Sequence, residues 1–371
     1  MGCLTSISHR HIVRPAYITA SLCVAILLPF SCQADDSMPL RLSDPVQLSV
    51  LSGRKCVRVS PNGSVALAQE GEGWVLIKLR EEQDSPKPLE DGPVAGVADF
   101  SPDSTRVAFW SSSKELVIRA TSDGKVTSKH PFMFSRRPPL LCRWSSSSRQ
   151  IALAFSERIV VIDVDDATVR EIPGAEGHWS CLSWDPDGSR IAAGCWSGRF
   201  GLGIFDRKGD VGPKPLVRVW DDADQLIRYS AKDHPGTVTS VSFSADGSRI
   251  AGSSRYIGDS SKVWQWDASG RLLRVSLLKG LEINDLVCGG EEGKFVLCVG
   301  YEKVERRKIP VVTLIDIVSG EVADMSRREF NHVHIVGATS SAADLQIFTY
   351  ELKHKAHPLQ CETFQWTVSA P

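Results

Sequence analysis

A four-residue turn signature returns seven times along this chain, and its spacing limits the fold more than any other feature. The copies begin at Ser60 (SPNG), Ser101 (SPDS), Ser145 (SSSS), Asp185 (DPDG), Ser244 (SADG), Gly290 (GEEG) and Ser341 (SAAD). The intervals are 41, 44, 40, 59, 46 and 51 residues. Pro, Asp, Asn and Gly preset or tolerate turn dihedrals, which is why they gather at these points. An apolar run precedes each copy, at 56–59, 97–100, 141–144, 181–184, 238–243, 286–288 and 335–339. A second run follows each copy, and a third set appears at 74–79, 116–120, 159–164, 216–220, 263–266, 311–317 and 363–368. Short alternating runs bounded by turn residues are strands joined by hairpins.

Four-stranded units repeating about every 40–45 residues are the mark of a β-propeller. The last apolar run, 363–368, leaves the seventh unit one strand short. Residues 40–50, LRLSDPVQLSV, read as a strand that completes it. Pro45 is acceptable there, because an outermost strand has no ladder partner for its outer N–H groups. The expectation is all-β: residues 35–371 form one seven-bladed β-propeller whose N-terminal strand closes the last blade.

The stretch 216–252 carries Trp220-Asp221, then Asp233-His234, then a Val-x-Phe-Ser approach to the SADG turn, and Trp266-Asp267 follows. These residues resemble a WD-repeat, the unit of many propellers. The resemblance implies a hydrogen-bond network among His234, Ser253 or Ser254, Asp259 and Trp266. Elsewhere it thins. Gly177-His178 stands three residues too close to its turn, and Asp163, Asp206 and Asp316 lack a Trp. The early units fit a wider class of propellers with SPDG-type turns equally well.

Composition adds an address. The chain has 371 residues, 42% hydrophobic and 23% charged, with a net charge of -1, so nothing biases it towards nucleic acid or membrane. Arg10 and Arg14 precede an apolar run at 16–31, and Cys32-Gln33-Ala34 supplies small residues before Asp35-Asp36. Sixteen residues fall short of the roughly 20 that span a bilayer. Residues 1–34 therefore read as a cleaved export signal, with an uncleaved N-terminal anchor as the alternative. The domain is expected outside the cytoplasm, periplasmic or extracellular, and tethered to membrane only if residues 16–31 remain. Met1-Gly2-Cys3 with Ser6 matches a myristoylation pattern, but the export segment behind it makes that coincidental. Pro29 spoils a lipoprotein site at Cys32. Cys56, Cys142, Cys181, Cys195, Cys288, Cys298 and Cys361 are odd in number and scattered through apolar runs, so they read as buried thiols.

Catalytic patterns are sparse. Two residues before each turn stand Arg58, Asp99, Arg143, Ser183, Ser242, Cys288 and Thr339, which is not a ring of paired carboxylates or histidines. Arg58, Asp99 and Arg143 suggest a charge ladder along a central channel. His332, His334, His354 and His357 invite a zinc site, but no acid at useful spacing completes it. Gly201–Gly203 carries no lysine and is no phosphate loop. No metal and no cofactor is expected.

Loops sorted by face show a charge asymmetry that the net charge hides. The turns that join the innermost strand to the next, with the third-to-fourth turns, are acidic. The second-to-third connections are long in units four to seven, at 196–214, 301–310 and 351–358, and they are basic. Phe200 and Phe205, flanked by Arg199, Arg207 and Lys208, make an apolar centre with a basic rim. Arg306, Arg307 and Lys308, with Lys353 and Lys355, extend the charge. The alternative is a hairpin folded over its own blade, hiding those aromatics. The resulting expectation is a monomeric, non-enzymatic interaction scaffold that binds a protein partner, acidic in character, or an anionic polysaccharide. The alternative is a secreted propeller hydrolase, lyase or dehydrogenase that acts on a sugar or lactone in the channel.

Overall fold

Six repeats fold into four-stranded antiparallel sheets whose strands neighbour one another in chain order, and the seventh supplies three strands to a sheet completed by two from the N-terminal segment. The computed structural model describes residues 41–80, 85–94, 97–132, 137–156, 158–172, 179–195, 216–223, 226–230, 236–256, 260–305, 307–328, 332–340, 344–353 and 360–369, all within one compact unit. β1 (Arg41–Leu42) and β2 (Val46–Gln47) precede the first blade. Blade one holds β3 (Lys55–Val59), β4 (Val65–Glu70), β5 (Gly73–Lys78) and β6 (Lys87–Leu89). Blade two holds β7 (Ala98–Phe100), β8 (Arg106–Trp110), β9 (Glu115–Ala120) and β10 (Val126–Pro131). Blade three holds β11 (Leu141–Trp144), β12 (Gln150–Ala154), β13 (Ile159–Asp163) and β14 (Val169–Glu171). Blade four holds β15 (Trp179–Trp184), β16 (Ile191–Cys195), β17 (Leu216–Trp220) and β18 (Leu226–Ser230). Blade five holds β19 (Gly236–Phe243), β20 (Arg249–Tyr256), β21 (Ser260–Asp267) and β22 (Leu272–Lys279). Blade six holds β23 (Leu281–Gly289), β24 (Phe295–Val304), β25 (Arg307–Asp316) and β26 (Val322–Arg327). Blade seven holds β27 (His332–Ser340), β28 (Asp344–Lys353) and β29 (Gln360–Ser369).

The second and third strands of a blade are apolar on both faces because both faces are covered by neighbours. Val65–Ala68 in blade one and Val107–Trp110 in blade two are buried throughout. Seven apolar clusters result among the described residues, and each is shared by two adjacent blades. Leu67 with Phe109 marks the first interface, Trp110 with Trp144 the second, and Ile159 with Trp220 the third. Val219 with Trp264, Val263 with Val311, and Leu314 with Trp366 mark the next three. Phe348 of blade seven packs with Ile77 of blade one, so the ring closes. Each such side chain contributes about 1.5–3 kcal/mol when fully buried.

The recurrent turn has a common mechanism. The Ser60 hydroxyl accepts from the Val65 amide (2.9 Å) and donates to Asn62 (2.9 Å). The Ser101 and Ser244 hydroxyls do the same for Arg106 and Arg249, donating to Asp103 and Asp246. Asp185 replaces the hydroxyl with a carboxylate that accepts from the Arg190 amide (3.0 Å). The fourth turn residue has positive φ: Gly63, Gly188 and Gly247, but Ser104 and Ser148 in blades two and three. A non-glycine residue there costs about 1–2 kcal/mol. The compensation is visible, since the Ser104 and Ser148 hydroxyls accept the amides of Asn62 and Asp103 in the preceding blade. The turn acids are therefore engaged locally. Burial opposes ionisation of Asp103 and Asp246, yet the hydroxyl and amide donors win and lower both pKa values.

The expected closing strand forms, but in two pieces. Arg41 and Leu42 pair with Ser369 and Val368, while Val46 and Gln47 pair with Gln365 and Phe364. Pro45 lacks an amide hydrogen, and the break falls beside it. Ser43 bridges the gap: its amide donates to Thr367 O (3.0 Å) and its hydroxyl accepts the Thr367 amide (2.9 Å). The segment also reaches blade six, where the Leu42 amide donates to Asp324 (2.9 Å). Leu42 packs on the cluster between blades six and seven, and Leu48 and Val50 on the one between seven and one.

Cys56, Cys142, Cys181, Cys288 and Cys298 are buried free thiols. Burial pushes those of Cys56, Cys181 and Cys288 up to about 12 from an ordinary 9.0, and raises Cys142 and Cys298 as well. The side chains of Cys195 and Cys361 lie outside the described residues.

Two predictions follow from this packing. Removing residues 35–50 exposes the edge of β29 and strips apolar cover from two blade interfaces, and should cost ~2–4 kcal/mol. A thermal melt unchanged by that truncation contradicts the closure. For the thiols, an unfolded chain releases protons above pH 9 while the folded one retains them. Stability therefore falls as pH rises from 9 towards 10. Urea midpoints at the two pH values, with iodoacetamide labelling of native protein at pH 8, check this. Rapid native labelling at these five positions contradicts it.

Candidate functional site: the central channel

The seven inner strands surround a cavity of about 490 Å³. Around it, at one level, stand Arg58, Asp99, Arg143, Ser183, Ser242, Val287 and Gly337. Five of these match the sequence expectation. One of the other two corrects it. Cys288 is buried between blades five and six, and its neighbour Val287 takes the channel position. Seven residues separate Cys288 from its strand partner Val296, against six between Phe243 and Ile250. One extra residue in the turn moves the position counted back from it to the other face. In blade seven Gly337 lines the channel, and the side chain of Thr339 lies outside the described residues.

Asp285 also lines the cavity and was not anticipated. Counting along strand β23, two residues back from Val287, would have found it. The channel therefore holds two arginines and two aspartates. Each is tied to backbone or a hydroxyl. Arg58 Nε donates to Ala98 O (2.9 Å) in blade two and lies 3.9 Å from Asp99 Oδ1. The Trp144 amide of blade three donates to Asp99 Oδ2 (2.9 Å), and the Trp184 indole of blade four to Arg143 O (3.1 Å). Arg143 itself donates to Cys142 O (3.0 Å). Ser240 of blade five donates to Asp285 (2.5 Å), which also accepts the Leu286 amide (2.9 Å). Burial, then the Arg143 charge, pulls the Arg58 guanidinium down to about 10, against Asp99 and Asp285. Among the described residues no group of three His, Cys, Asp or Glu is placed to hold a metal.

The network implied around Trp266 takes a different form. The Trp266 indole N–H is buried with no hydrogen-bond partner among the described residues. In blade seven the equivalent indole, Trp366, donates to Thr349 Oγ1 at 3.0 Å. Trp366 pairs with Ile347 and Trp266 with Ile250, so Gly252 occupies in blade five the place of Thr349. A Cβ at Gly252 would meet the Trp266 ring at 3.0 Å. The larger approach of the ring has displaced the hydroxyl. His234 and Asp259 lie outside the described residues.

The family model "WD domain, G-beta repeat" matches residues 167–200 and 226–267. The second match runs from the outermost strand of blade four through three strands of blade five. This chain is a seven-bladed β-propeller that carries WD repeats. Among solved structures, Kuenenia stuttgartiensis hydrazine synthase is similar, at 16% identity and a TM-score of 0.53, covering 74% of this chain and 80% of that one. At that identity the likeness concerns the fold. No curated protein matches the chain. As a WD-repeat propeller, the protein is at the coarse level an interaction scaffold for protein partners.

The basic loops resolve unevenly. Arg199, Phe200, Phe205, Arg207, Lys208, Arg306 and Lys355 lie outside the described residues, as does the side chain of Lys353. Residues 301–310, expected as a loop, instead continue β24 and β25 as a tight hairpin in which Lys303 faces Lys308 and Val304 faces Arg307. Apolar Val299, Val311 and Val312 keep the ladder in register below it. Arg307 is exposed there, but Lys308 is bound to Glu282 at 2.7 Å. Arg327 holds Glu302 through two bonds of 2.5 and 2.9 Å.

If the channel charges staple blades together, Asp99→Ala should cost about 2–3 kcal/mol, because it strands the Trp144 amide and the Arg58 charge. Ser183→Ala, in the same channel without an inter-blade bond, should change stability by about 0.5 kcal/mol or less. Equal effects in chemical denaturation contradict the assignment.

Proposed function

We propose that this WD-repeat propeller is an exported, non-enzymatic scaffold that holds an acidic protein partner on the second-to-third loop face of blades four to seven. The observation that carries the reading is the use of the channel. Its carboxylates accept backbone amides and a neighbouring hydroxyl, and two of these bonds join one inner strand to the next. The rigid surface left for recognition is the rim. On the hairpin of blade six, Glu302 and Glu282 pair with Arg327 and Lys308, Arg307 is exposed beside Glu305, and the bases (Lys303, Arg307, Lys308, Arg327) outnumber the acids (Glu282, Glu302, Glu305) by four to three. Clustered charge of this kind speeds encounter with an acidic partner and makes binding salt-dependent. The sequence at 196–214 supports the same face through its aromatic centre and basic rim.

The test uses full-length protein and a partner captured by cross-linking from the exported fraction. Arg307→Glu should weaken that complex about tenfold and flatten its salt dependence. Phe200→Ala with Phe205→Ala should weaken it without changing the salt slope. Undiminished affinity in both variants places the working face elsewhere, and binding to an anionic polysaccharide alone replaces the protein partner. Export is read separately, by N-terminal sequencing of the mature protein, expected to begin after Ala34.

A further inference from the structure

The outermost strands of the propeller are edges, and an edge exposes unpaired N–H and C=O groups to any extended chain. Most of the described edges are protected. β6 and β14 are three residues long, and β6 contains Pro88. β10 ends in Lys129, His130 and Pro131, and β26 carries Asp324 and Arg327. Blade seven is covered by β1 and β2. β22 departs from this pattern. It is eight residues long, ends its sheet, and has no strand on its outer side among the described residues.

Its sequence, LLRVSLLK, leaves Leu272, Leu273, Val275 and Leu277 between 38% and 50% exposed. Ser276 and Leu278 alternate with them and are buried, so the strand is anchored on one side. Leu273, Val275 and Leu277 share the other side at period two. That apolar row ends in exposed Lys279, and Lys262 stands opposite Leu277. Arg271 lies at its start, while Arg274 shares the opposite face with Ser276, beside Gly320 of blade six. The nearby acid, Asp267, is already held by Arg271 at 2.9 Å.

We propose that the outer edge of blade five captures an extended acidic and apolar peptide segment as a fifth strand. Main-chain bonds to β22 supply pairing, while alternate apolar residues of the segment cover Leu273, Val275 and Leu277. Its acids meet Lys262 and Lys279. The same charges disfavour a second copy of this chain, whose β22 would bring like charge against like. The site lies on the rim and goes beyond the loop-face reading, which uses Arg307.

The experiment is hydrogen–deuterium exchange on full-length protein with an octapeptide of alternating valine and glutamate. A valine–lysine octapeptide is the control. At ten times the Kd, the valine–glutamate peptide should slow exchange of the β22 amides about tenfold. Val275→Thr with Leu277→Thr keeps strand propensity at exposed positions and should abolish the protection, whereas Arg307→Glu should leave it intact. Protection by neither peptide, or equal protection by both, overturns the proposal. So does concentration-dependent dimerisation that the Thr variant removes, since the occupant is then a second copy.

Discussion

Everything in this molecule depends on each blade borrowing its core from the next. A single four-stranded sheet has two apolar faces and nothing of its own to cover them. Trp110 finds its partners in blade three, Trp220 in blade three, and Trp366 in blade six. The arrangement is stable only when the last blade meets the first, which is why Phe348 against Ile77 matters more than its area suggests. The N-terminal segment secures that meeting by bonding to β29 and to Asp324 of blade six at once.

Polar groups repeat the same logic on two levels. At the turns, Ser104 and Ser148 accept backbone strain in exchange for a bond to the preceding blade. Arg190 and Arg249 reach the following blade with their side chains, bonding Gly247 O at 2.7 Å and Glu292 at 3.1 Å. At the channel wall Arg58, Asp99 and Asp285 stitch neighbouring inner strands. Charges that look like a potential site in sequence serve as lateral fasteners once the ring is built. Arg307 is exposed on the blade-six hairpin, and blade five carries an apolar edge.

The repeats are alike in architecture and unlike in detail. Trp266 is followed by the aspartate expected of its family, yet its indole has no acceptor among the described residues, because Gly252 admits the ring where a hydroxyl would stand. Trp366, followed by threonine, makes the bond to Thr349. Motif strength along the chain therefore does not rank the blades by the integrity of their internal bonding.

The spacing of the turns determined the seven blades, the all-β class and the closing strand, because apolar alternation and turn chemistry are local and survive in a single chain. Burial of the cysteines was legible for the same reason. Tertiary structure alone decided which face a residue takes when a turn lengthens by one, as at Cys288 and Val287, since a period of two reverses with a single insertion. It also decided pairing across distance. Lys308 with Glu282 and Arg327 with Glu302 neutralise charge that sequence assigns to open loops, and no local pattern records a partner on another strand. The exposed row on β22 is of the same kind: an amphipathic strand looks alike in sequence whether its second face meets a neighbour or water, and only the ring shows that here it meets water.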